Sequence, residues 1–227
     1  SGVLVTQFPT GTAGAVIGFI KESYITKSAL FDAPLNKPGN VDAKISPIKA
    51  KKVVLKKKLV EKQGSEWVFT NRETNLEANE EAIITLTRIS PLTEDDFNSI
   101  ANIKGPSNEQ LQIAPGDYEL AINMFLRDTV RIPKKTITKN TGLFTTETFE
   151  MPGFEFNEQN PMPSGGVRLN VTITEADLKK DTIVLYAVSP ALQFVPELER
   201  SLEDLEQTAR IDTYSKIFAP LLVPQFK

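Results

Sequence analysis

Apolar and polar side chains alternate along much of this chain with the period of two that a half-buried strand requires. From Tyr118 onward, Tyr118, Leu120, Ile122, Met124 and Leu126 fall on one face, with Glu119, Ala121, Asn123, Phe125 and Arg127 on the other. Val167, Leu169, Val171 and Ile173 alternate with Arg168, Asn170 and Thr172 in the same way. Residues 183–188 are apolar on both faces, which predicts a central strand covered on each side. Further strands are predicted over 15–20, 53–60, 67–70, 82–89, 129–138 and 143–150. Ala114-Pro115-Gly116-Asp117 has Pro and Gly where a type II turn needs them, predicting a hairpin between 111–113 and the run from Tyr118. Gln63-Gly64-Ser65 predicts a second hairpin, joining 53–60 to 67–70.

Helical patterning is sparse. Thr93-Glu94-Asp95-Asp96 has the form of a capping box and predicts a short helix over 93–103, ended near Gly105-Pro106. After Pro196, Glu197 and Glu199 crowd a first turn, and Leu198, Leu202, Leu205 and Ala209 recur at helical spacing. The apolar tail over 217–226 carries Pro220 and Pro224 and reads as too proline-rich for a helix; it either packs back on the sheet or offers a patch to a partner.

Short strands separated by turns predict a mainly β fold, an antiparallel β-sandwich of Ig-like or jelly-roll-like type, with a short connecting helix and a C-terminal helix. The chain divides into an N-terminal β unit (1–91), a helical connector (92–106), a second β unit (107–190) and a C-terminal helix with its tail (191–227), as two subdomains or one domain. The loops over 33–40 and 152–164, rich in Pro, Gly and Asn, read as surface excursions.

Composition closes several kinds of chemistry. The 227 residues include no histidine and no cysteine, which removes Ser-His-Asp triads, Cys-His dyads and zinc sites built on imidazole or thiolate. No cofactor and no metal site is expected. The net charge of −3 argues against a dedicated nucleic-acid binder, and no apolar run has the length of a membrane-spanning helix. Ser1-Gly2 opens the chain without the succession of a signal peptide, as a mature fragment would.

Three local features remain. Eight lysines lie between Lys44 and Lys62; Lys51, Lys52, Lys56, Lys57 and Lys58 are the candidate contacts for a polyanion or membrane surface, against the plainer reading that they guard an edge hairpin. Phe218, Leu221, Leu222 and Phe226 are the candidate contacts in the tail. Ser46-Pro47-Ile48-Lys49 spells the S-x-x-K of serine enzymes but lacks its companion motifs, and Asn170-Val171-Thr172 is a glycosylation pattern in mid-strand. The expectation is a non-catalytic binding protein of the bacterial envelope or extracellular space, periplasmic, surface-bound or secreted, recognising a protein or surface polymer. The alternatives are a structural subunit of a pilus, phage tail or capsid that forms homo-oligomers, and a glycan hydrolase built on carboxylates.

Overall fold

The computed structural model describes residues 5, 7, 11, 13–32, 35, 39–107, 109–140 and 146–227. The chain is mainly β. Its strands are β1 (Ala15–Phe19), β2 (Lys27–Phe31), β3 (Lys49–Gln63), β4 (Glu66–Asn75), β5 (Glu80–Arg88), β6 (Asn98–Lys104), β7 (Gln110–Ile113) and β8 (Gly116–Leu126). They continue with β9 (Val130–Ile132), β10 (Lys135–Asn140), β11 (Thr146–Met151), β12 (Phe154–Phe156), β13 (Met162–Ile173) and β14 (Thr182–Pro190). Three short helices follow, α1 (Leu202–Ala209), α2 (Ile211–Ile217) and α3 (Ala219–Leu222), and then β15 (Gln225–Phe226).

Nine strands form one curled sheet in the order β4-β3-β14-β13-β8-β5-β6, with β7 paired to β3 and β15 paired to β14. Strands from both sides of the 92–106 connector interleave in it. β3 is long enough to carry β7 and β4 end to end along one edge while β14 runs parallel along the other. The curl brings β6 back to β7, where Ser99 Oγ accepts the Gln112 N–H at 3.1 Å. Three two-stranded ribbons, β1–β2, β10–β11 and β9–β12, stand outside this sheet.

The concave face holds the core because the alternating positions of successive strands fall into register. Leu86, Leu120 and Leu169 are cross-strand partners, as are Ile84, Ile122 and Val167. Each end of this interior carries a buried ion pair. At one end the Lys57 ammonium donates to Glu80 at 2.5 Å, both side chains being wholly buried, and Glu80 also accepts the Glu77 N–H at 2.8 Å. At the other, Arg88 pairs with Glu94 at 2.5 Å beside Tyr118, whose hydroxyl donates to the Ala114 carbonyl at 2.8 Å. Burial pushes the Tyr118 hydroxyl up to about 12.

Several expected elements take a different form. The 111–126 hairpin does not form: β7 pairs with β3, and β8 lies between β5 and β13. The Tyr118 hydroxyl, bonded to both the N–H and the carbonyl of Ala114, holds the intervening turn as a corner between strands. The 93–103 helix is replaced by a bridge at Glu94 and by β6, because Ser99, Ala101 and Ile103 bury on one face of a strand. Residues 197–199 form a 3-10 turn, and α1 begins at Leu202, where Ser201 and Asp204 make a reciprocal capping box. The tail is partly helical, since Pro220 occupies the first turn of α3, where a missing N–H costs nothing. The 129–138 strand divides into β9 and β10, and the 152–164 loop contains β12 and the start of β13. Parts of the predicted 143–150 strand and 33–40 loop lie outside the described residues.

The hairpin around Gly64 forms as expected, with Gln63 opposite Glu66. β14 is the doubly covered central strand, its residues from Ile183 to Pro190 all buried.

Candidate functional site

The sheet is unevenly closed around β13. Along one edge β13 pairs with β8 from Met162 to Ile173; along the other it meets β14 only at Gly166 opposite Val188. That contact is a pinch. A Cβ on Gly165 would lie 2.2 Å from the Val188 carbonyl oxygen, and one on Gly166 would lie 2.2 Å from the Ile122 carbonyl oxygen, so only glycines let the three backbones approach. Beyond the pinch the two strands diverge. The Arg168 N–H points away from β8 and donates to Ser215 Oγ on α2 at 3.0 Å. Because antiparallel pairing alternates, the main-chain groups of Asn170 and Thr172 also face the opening between the strands.

The C-terminal segment fills most of this opening. Asp204 anchors it at the base of α1: its carboxylate accepts from Lys62 at 2.8 Å, from the Trp67 indole at 3.0 Å and from the Ser201 N–H at 2.8 Å. Burial works against the charge of Asp204, but those donors outweigh it and hold the carboxyl below its ordinary range. Phe218 stacks on Phe69 of β4 with ring centroids 3.8 Å apart, and Leu222 is wholly buried. β15 then joins β14, with Phe226 opposite Ile183, and Lys227 exchanges both main-chain hydrogen bonds with Thr182. The predicted tail contacts are therefore docked on the chain's own sheet; of the four, Leu221 alone is exposed.

Between β15 and β13 the filling is incomplete. A cavity of about 270 Å³ is lined by Val171, Ile173, Ile183, Leu185, Phe226 and, from the far wall, Leu86. Val223 and Pro224 complete its tail side, and Asn170 and Thr172 stand at its mouth. The Thr172 hydroxyl donates to Asp117 at 2.6 Å.

The five predicted lysines do not form one surface, and β3 is not an edge strand. Lys51 is buried and donates to the Leu178 carbonyl at 2.8 Å, while Lys57 lies inside the core with Glu80. Lys56 and Lys58 both reach Glu73, at 3.1 and 3.0 Å, and their ammonium groups hold that carboxyl below its ordinary range. Lys58 also sits 4.9 Å from the centre of the Tyr186 ring. Lys52 is exposed.

The alternation does not single out Asp204, the cavity residues or the β1–β2 ribbon. In that ribbon Val16 and Leu30 are cross-strand partners, 67% and 77% exposed. Among the described residues no helix is long and apolar enough to cross a membrane, and no three acidic side chains converge as a metal site requires. Compared with known protein families, curated proteins and solved structures, the chain gives no match.

Proposed function

We propose that this chain is a non-catalytic interaction protein that recognises another macromolecule, with the curled sheet as scaffold and the β1–β2 ribbon as contact element. The observation that carries the reading is a division of labour among side chains. Lys57–Glu80, Arg88–Glu94 and Lys62–Asp204 commit charged groups to internal pairs. Apolar residues of β1–β2, in contrast, face outward on a ribbon held to the body at its base, where Ser28 N–H donates to the Thr93 carbonyl and Asp95 N–H to Thr26. A two-stranded ribbon is marginal in water by itself and gains stability when a neighbour covers its apolar face. A sandwich-like packing of the opposed walls belongs to this proposal, and a chain without cysteine, needing no particular redox environment, is compatible with the cell envelope or the extracellular space as it is with the cytosol.

The second reading is a structural subunit whose ribbons reach neighbouring copies, favoured by the presence of both β1–β2 and β10–β11 outside the sheet. The tail contributes less to this version, since it is docked on its own sheet. Light scattering after size-exclusion chromatography over a wide concentration range separates the readings. A monomer throughout supports recognition of a different partner; assembly lost in Leu30→Ser supports the subunit. Reproducible turnover of a glycan by the purified chain contradicts both.

A further inference from the structure

The geometry points to the β13–β15 cavity as a binding site for a medium-chain aliphatic amphiphile with an uncharged, hydrogen-bonding head group. The cavity opens where β13 and β14 diverge and are not laddered, and it reaches Leu86 and Leu185, core side chains that are otherwise fully buried. Side chains alone account for its depth: Val171, Ile173, Ile183, Leu185 and Phe226 offer no polar atom to hold water there. An apolar cavity of about 150 Å³ stays dry and accepts benzene, so by proportion about 270 Å³ takes an apolar group of about ten carbon atoms.

The mouth differs from the interior in a way that sets the head group. Asn170 and Thr172 present their main-chain groups toward the opening, and the exposed Asn170 side chain adds an amide. All of these are neutral. Asp117, held on the Thr172 hydroxyl at 2.6 Å, brings a carboxylate beside the mouth, and a carboxylate there repels an anionic head. A hydroxyl or amide head meets donors and acceptors without that penalty. The tail segment forms one wall through Val223, Pro224 and Phe226, so occupancy of the cavity also braces β15 against β14.

The test uses 1-octanol, soluble enough to titrate, and octanoate at pH 7.5 below its micellar range, followed by methyl NMR shifts of the full chain. 1-Octanol is expected to give saturable shifts at Leu86, Val171, Ile183 and Leu185 with a Kd below about 1 mM, and octanoate to bind at least about tenfold more weakly. Val171→Trp and Val223→Trp fill the cavity from its two sides, and either variant that melts cooperatively is expected to weaken 1-octanol at least about tenfold. Methyl shifts on the β1–β2 ribbon are expected to stay unchanged. Absence of saturation up to the solubility limit, unchanged binding in both filled variants, or shifts centred on the ribbon overturns the assignment. Tighter binding of octanoate than of 1-octanol overturns the head-group reading.

Discussion

The two edges of β13 belong to one strand of one sequence, yet one is closed and the other open. Toward β8, every residue from Val167 to Ile173 has a cross-strand partner, and the side chains of three strands interlock on the concave face. Toward β14 a single pair survives, at a pair of glycines, and the C-terminal segment that follows β14 is brought in to cover the gap. The contrast shows that alternation alone does not complete a sheet. Where two strands diverge, packing has to be supplied by a segment held through side chains such as Asp204, and an imperfect fit there leaves usable space.

Substitutions separate the two sides by size of effect. The largest loss is expected inside the closed wall, where Lys57→Ala leaves Glu80 charged, buried and unpaired; chemical denaturation is expected to show a drop of about 3–5 kcal/mol. Ile122→Ala, on the laddered side of the pinch, is expected to cost about 2–4 kcal/mol in the same measurement. At the open edge, Asp204→Ala removes an acceptor shared by Lys62, Trp67 and the Ser201 N–H, and about 1–3 kcal/mol is expected. Tryptophan fluorescence reads that change locally, because the indole loses its partner. An equal loss from Asp204→Ala and Lys57→Ala would mean that the tail belongs to the closed wall. The smallest effect is expected on the ribbon, where Val16→Thr should stay within about 0.5 kcal/mol while reducing any association.

Acid separates the sides in another way. The carboxyls of Asp204, Glu73 and Glu81 are held below their ordinary range in the folded chain; for Glu81, hydrogen bonds from Arg127 and Asn102 overcome the opposing effect of burial. Groups of this kind contribute stability that is present above their unfolded pKa and is lost as pH falls through the folded value. Stability is therefore expected to fall below about pH 4, with Asp204→Asn flattening that fall, and to stay nearly level between about pH 5.5 and 7.5 in a chain without histidine. Thermal melts across these pH values check both expectations. A steep change near pH 6.5 contradicts them.

Much of the sheet is legible in the sequence, because β8 and residues 167–173 of β13 alternate, β14 is apolar on both faces and Gly64 marks a tight turn. The rest depends on contacts between residues far apart in the chain. Ser-x-x-acid and Thr-x-x-acid patterns occur at 201–204 and 93–96, yet only the first caps a helix; the apolar residues after Thr93 suit a strand as well as a helix, and Glu94 is drawn to Arg88 and Lys27. The lysine run misleads for a related reason. Lys51, Val53, Leu55 and Lys57 share one parity of β3, so two of its charges fall on the buried side. A readable signal was present in β5, where Glu80 and Arg88 bracket Ala82, Ile84 and Leu86 on the inward face and mark both ends of the interior as polar. The cavity has no such signal, since it arises from divergence of two strands whose individual patterns are regular.

The most direct test of the open edge is hydrogen exchange resolved along β13. The amides of Leu169, Val171 and Ile173, bonded to β8, are expected to exchange only with global opening, whereas those of Asn170 and Thr172 exchange at least about a hundredfold faster. Uniform protection at all five positions would mean that β13 is laddered on both edges, and would contradict the account.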